Sequence, residues 1–199
     1  MPTDTDRANW FIALPVAARQ LPRAAMDELP PGTRAFHPLD LHVTVAFLGA
    51  VGEARALRAW TALEQRATAP IDAAIGPRAT FGNPRRPSAL GLDLDADRPD
   101  SGLAGLIAAW RDPLRRAADV AAEERPVRPH VTLGRPPRRP NAAWWRACRR
   151  WLATSDAPAS VHLDRIALYT RASPDAAQRF RAVRTVRWTD SAHGDHDPG

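Results

Sequence analysis

Two short stretches carry side chains able to do acid–base chemistry on a phosphate. They are Leu41-His42-Val43-Thr44-Val45-Ala46-Phe47-Leu48 and Arg128-Pro129-His130-Val131-Thr132-Leu133-Gly134-Arg135. An imidazole gains or loses its proton near neutral pH, and a hydroxyl can donate a hydrogen bond to an oxyanion. Apolar and β-branched residues alternate with polar ones in both stretches, which predicts strands. On the first, a period of two puts Leu41, Val43, Val45 and Phe47 on one face and His42 and Thr44 on the other. On the second, Val131 and Leu133 take the buried face and His130 and Thr132 the opposite one. Residues two apart on a strand stand about 6.5–7 Å from each other, so ring and hydroxyl can reach one small anion. A single His-x-Thr carries little, because six His and twelve Thr in 199 positions produce such a spacing by chance. The repeated apolar-His-Val-Thr-apolar context, with its His residues 88 positions apart, fits two similar halves.

The surrounding segments strengthen the pattern. Phe11-Ile12-Ala13 near the start, Gly49 after the first motif, Ile166-Ala167-Leu168-Tyr169 and the stretch from Phe180 to Trp188 complete a set. With the two motifs, it resembles the two-histidine (2H) phosphoesterase superfamily, and more closely its bacterial RNA 2',3'-cyclic phosphodiesterase (LigT-like) branch. The resemblance runs over roughly residues 9 to 189. Val127, where an aromatic is common, and Ala89-Leu90-Gly91, in place of a bulkier apolar strand, depart from the pattern and bear on base contacts. The resemblance implies an α+β fold of two pseudo-symmetric lobes around a central cleft. Each lobe is an antiparallel sheet with helices packed outside, and each gives one motif strand to the cleft. It further implies opening of 2',3'-cyclic phosphates on RNA or a small nucleotide to 2'-phosphomonoesters. His42 would then be the general acid, His130 the base, and Thr44, Thr132 and Arg135 the donors to phosphoryl oxygens. From sequence the pair cannot be oriented. A 2',5'-linked oligonucleotide as substrate, RNA end joining in reverse, and a non-catalytic RNA-binding module stand as alternatives.

Composition bounds the rest. The chain suits one domain, 9–189, with tails at 1–8 and 190–199 expected to be disordered. Net charge is +6 with a pI near 11, compatible with a polyanionic partner. All 28 basic residues are Arg; the guanidinium fork suits phosphate, but a general preference for Arg, Ala and Pro explains much of the bias. One cysteine, Cys148, excludes an intrachain disulfide and a Cys-cluster metal site. No cofactor or metal is expected, since His42 and His130 lack further ligands at metal-binding spacing. With no signal-like start or membrane-length apolar run, the expectation is a cytoplasmic monomer.

Along the chain, strands are expected at 10–14, 71–81, 88–95, 161–170 and 180–188, and helices over 52–68, 103–120 and 141–152. Residues 16–29 have helical spacing interrupted by Pro22. Gly82 to Pro87 and Arg135 to Pro140 read as basic loops. Arg85 and Arg86 could flank a nucleotide or be solvated. Asp93, Asp95 and Asp97 read as a polar strand face. Trp144, Trp145 and Trp151 read as core rather than as base-stacking platforms. His37 and His162 read as loop or surface residues, and His193 and His196 as part of the tail.

Overall fold

The structure, a computed structural model, describes residues 8–64, 69–95 and 102–188. Nine strands and four α-helices form it: β1 (Trp10–Pro15), α1 (Arg23–Asp27), β2 (Arg34–Ala35), β3 (His42–Gly49), α2 (Glu53–Glu64), β4 (Ile71–Asn83), β5 (Arg86–Leu94), α3 (Gly102–Ala117), β6 (His130–Arg135), α4 (Ala142–Ala153), β7 (Ser160–Leu163), β8 (Arg165–Arg171) and β9 (Phe180–Arg187). All strand pairs are antiparallel, in the order β7-β4-β5-β6-β3-β1-β8-β9, with β2 added against β6. The α+β class is as expected. The two lobes are halves of one sheet, joined at its centre where β3 meets β6 through the single pair Val43↔Val131.

The alternation of β1 sorts the two faces. Trp10, Ile12 and Leu14 are fully buried in the main core, with Trp60 and Leu63 of α2 and Leu103 and Ile107 of α3. Burying such side chains is worth about 1.5–3 kcal/mol each. Phe11 and Ala13 point the other way, into a small cluster with Ala167, Tyr169 and Phe180. Helices thus cover one face, and the motif histidines belong to the other. Trp144 and Trp151 are buried, their indole N–H groups donating to Thr33 Oγ1 and the Ala25 carbonyl, and Trp145 packs at the core edge. They are core, as expected. Asn141 caps α4 by accepting from the Trp144 N–H at 2.9 Å.

Several expectations are corrected. Residues 161–170 are two strands: β7 pairs with β4 and β8 with β1, in different halves of the sheet. The expected loop 82–87 shrinks to a tight turn, because Asn83 Oδ1 accepts the Arg85 N–H and strand pairing continues to Asn83↔Arg86. Asp93 and Asp95 are buried rather than a solvent-facing polar row. Asp93 binds Arg128 through both oxygens, at 2.8 and 2.7 Å, and Asp95 Oδ1 accepts the Ala74 N–H. Residues 16–29 divide at Pro22 into a 3-10 turn and α1. Asp97, His193, His196 and most of both tails lie outside the described residues; Ala8, expected in the tail, lines the cleft.

Candidate active site

The pair Val43↔Val131 determines how the motifs meet. Continued one step each way, its antiparallel register sets His42 beside Thr132 and Thr44 beside His130, on the face away from the two buried valines. His42 and His130 are then diagonal neighbours across the strands, about 7–8 Å apart at the backbone. The two imidazoles and two hydroxyls of the motifs are thus related by a local two-fold of the strand pair.

Both rings are held alike. His42 Nδ1 lies 2.6 Å from the Asp40 carbonyl oxygen and His130 Nδ1 lies 2.7 Å from that of Arg128, two residues upstream in each case. A carbonyl only accepts, so each Nδ1 carries the proton and each Nε2 is left for a ligand. Aromatic rings fix the planes. Phe11 lies 4.8 Å from His42, Tyr169 5.8 Å and Phe180, edge-on, 5.7 Å. His130 stacks on Phe81 at 4.0 Å, and Arg128 covers the same ring at 4.7 Å.

These surroundings shift both titrations. Burial pushes His42 down from 6.5 to about 4; the hydrogen bond to Asp40 and the Asp40 charge oppose it, and the nearby His130 adds to it. Burial also lowers His130, against its bond to Arg128 and the charge of Asp93. Burial raises the Tyr169 phenol to about 12. Both shifts favour the neutral imidazole in the free protein.

A cleft of about 690 Å³ opens over this face, lined by His42, Thr44, Thr132, Arg135, Phe47, Phe11, Phe180 and the turn from Arg171 to Arg179. His130 is not among its lining residues; it borders the cleft through Thr44 and Thr132. Neither threonine hydroxyl has a hydrogen-bond partner among the described residues. Asp40, with 1% of its surface exposed, holds the turn in place. Its carboxylate accepts the Arg179 N–H on both oxygens at 2.9 Å and the Phe180 N–H at 3.0 Å.

Strict alternation misplaces one lining residue and leaves another unexplained. In the pairing of β1 with β3, Ile12↔Ala46 is followed by Ala13↔Thr44, so Val45 is an extra residue. Val45 and Ala46 are both buried, and Phe47 turns to the His42 face, 48% exposed. The expectation that Phe47 shares the Val43 face is corrected. The same event recurs in β6, where Leu90↔Gly134 and Gly91↔Thr132 leave Leu133 extra. Leu133 and Gly134 are both buried, and Arg135 turns into the cleft. Without these bulges neither Phe47 nor Arg135 would reach it.

The fold and site define a class. A model of the 2'-5' RNA ligase superfamily matches residues 15–175, and the chain belongs to that superfamily of two-histidine phosphoesterases. Among individual relatives, the RNA 2',3'-cyclic phosphodiesterase of Bacillus subtilis (strain 168) is 30% identical over 138 residues, covering 65% of this chain and 72% of the relative. The crystal structure of E. coli LigT complexed with 3'-AMP superposes with a TM-score of 0.65 over 92% of this chain and 98% of that one, at 17% identity. The crystal structure of TT0787 from Thermus thermophilus gives 0.60 over 90% and 97%, at 21%. At these identities the structural likenesses speak for the fold.

Proposed function

We propose that this chain hydrolyses 2',3'-cyclic phosphates on RNA or nucleotide ends to 2'-phosphomonoesters, using His42 and His130 as an acid–base pair without a metal. The observation that supports this is the antiparallel Val43↔Val131 register, whose continuation sets His42 beside Thr132 and Thr44 beside His130, each ring held at Nδ1 by a carbonyl with its Nε2 left for a ligand. The activity of the Bacillus subtilis relative supports the reaction class, and 3'-AMP in LigT supports a nucleotide ligand.

Water attacks phosphorus in line with the P–O3' bond. One Nε2 takes the water proton, the new P–O bond forms, the P–O3' bond breaks, and the other imidazolium protonates O3'. The hydroxyls of Thr44 and Thr132 and the Arg135 guanidinium donate to the non-bridging oxygens as charge gathers there. Following the resemblance, His42 is the acid and His130 the base. A ring with a pKa near 4 is a strong proton donor once charged. The negative charge of the bound phosphate favours charging it.

Phosphorus NMR of the protein with a nucleoside 2',3'-cyclic phosphate tests the reading: the 2'-monoester should accumulate, with and without EDTA. His42→Ala and His130→Ala should each lower the rate by about 10²–10⁴ with folding intact. Near-full turnover by either variant would refute the assigned roles. The superfamily's ligase name favours one second reading, joining of RNA ends by the reverse reaction. It predicts a 2',5'-linked product from a 5'-hydroxyl end and a cyclic end.

A further inference from the structure

Beside the cleft runs a second groove of about 190 Å³, lined by Arg34, Arg86, Pro87, Ser88, Arg135, Pro136, Pro137, Arg138 and Pro140. It takes in parts of both basic loops. Arg135 lines the groove and the cleft alike, so the two adjoin at its side chain.

Among the described residues, no carboxylate lines this groove and none of Arg34, Arg86, Arg135 and Arg138 has an ion-pair partner. Some arginines elsewhere in the fold are matched: Arg78 with Asp156, Arg128 with Asp93, Arg125 with Glu123. Others, such as Arg149, Arg150 and Arg181, have no ion pair among the described residues; the groove differs in gathering four of them in one place. The crowding is built into the backbone. Arg34 of β2 is the register partner of Arg135 of β6, and like charges directly opposite on paired strands are destabilising. Gly134 permits the approach, since a Cβ there would stand 2.9 Å from Thr33 Cγ2 and 3.0 Å from the Arg34 carbonyl oxygen. Burial and the charges of Arg179 and Arg34 hold the Arg135 pKa below its ordinary value. A groove that gathers four arginines without an ion-pair partner, two of them on register-paired residues, suits an anion. Four planar donor forks suit phosphate.

We propose that this groove binds a backbone phosphodiester of an RNA strand whose 3'-terminal phosphate occupies the cleft. It makes the preferred substrate an oligonucleotide end rather than a free cyclic mononucleotide. The proposal rests on the reading of the cleft as the site of the terminal phosphate. The strand's negative backbone relieves the Arg34–Arg135 repulsion, and Arg86 and Arg138, both exposed, hold the chain outside the reacting atoms.

Binding tests this apart from turnover. Anisotropy or calorimetry would compare adenosine 2'-monophosphate, the same nucleoside carrying an added 5'-phosphate, and an RNA pentamer ending in a 2'-phosphate. Wild type and the Arg86→Ala/Arg138→Ala double variant would both be measured, at several salt concentrations. Wild type should prefer the pentamer to the monophosphate by about tenfold at low salt. The double variant should lose most of that preference, bind the monophosphate within about twofold of wild type, and show a salt slope shallower by about 0.7 per lost phosphate contact. If the 5'-phosphate alone restores the full preference, the groove recognises a single nucleotide's phosphate and the strand proposal fails. Equal affinity for all three ligands, or an undiminished pentamer preference in the double variant, would also overturn it. Turnover of cyclic phosphates with no pentamer preference would leave the hydrolase reading standing and remove only this one. The binding pattern without turnover would do the reverse.

Discussion

Substituting Asp40 by Asn would probe the link between the cleft wall and the first histidine. The carboxylate is buried and takes two backbone N–H groups, from Arg179 and Phe180, while its own carbonyl anchors His42 Nδ1. Hydrogen bonds to a buried charge are worth about 1.5–3 kcal/mol each, and a donor left without a partner costs about 1–3 kcal/mol. Asn keeps one acceptor oxygen and turns an NH2 group toward the other donor, so about half of the set is lost, roughly 2–3 kcal/mol. For a chain of this length that lowers Tm by about 4–12 °C. A second readout separates this from simple destabilisation. The Asp40 charge raises the His42 pKa, so its removal should move the acid limb of kcat/KM to lower pH. KM should also rise, because the freed turn lines the cleft. Calorimetry and a pH series on a nucleoside 2',3'-cyclic phosphate measure all three effects. An Asn variant that melts within about 1 °C of wild type and keeps its pH profile would refute the linkage.

The proposed mechanism requires one imidazole charged and one neutral. With His42 lowered to about 4 and His130 also below 6.5, kcat/KM, which reports the free enzyme, should peak between pH 4 and 6.5. The kcat profile should sit higher, since bound phosphate favours the imidazolium; a kcat/KM maximum above about pH 7 would contradict the electrostatics. Gly91→Ala places a Cβ 2.0 Å from the Val131 carbonyl oxygen, forcing β5 and β6 apart; a loss of about 1–3 kcal/mol in urea unfolding is expected. Arg78, its side chain fully buried, binds Asp156 at 2.8 and 2.7 Å. Arg78→Leu strands that carboxylate and should cost about 3–5 kcal/mol, much of it recovered by Arg78→Leu/Asp156→Leu.

The motif histidines and threonines were legible because chemistry and period coincided in two matching strands. Local patterning also sufficed for α4, whose Asn141 cap and buried tryptophans behave as their spacing implies. Pairing across the chain is what periodicity cannot carry. Nothing in Val161 to Thr170 announces that the chain leaves one half of the sheet at Asp164 and joins the other. Nor does the run of aspartates from Asp93 reveal that Arg128, 35 residues later, closes over it. The two bulges were equally hidden, since an extra residue is defined only by the neighbouring strand. Two glycines offered a trace of those close contacts: Gly91 against Val131, and Gly134 under β2.

The bulges occupy equivalent places, each at the third residue after its histidine, and each delivers the fifth residue to the cleft. One half delivers a phenyl ring and the other a guanidinium. The twinned motifs therefore frame a socket that is handed: a nucleotide turned end for end would set its flat, apolar part against a cation and its anionic part against a hydrocarbon. Such a polarity in the walls would rank the two orientations of a bound nucleotide.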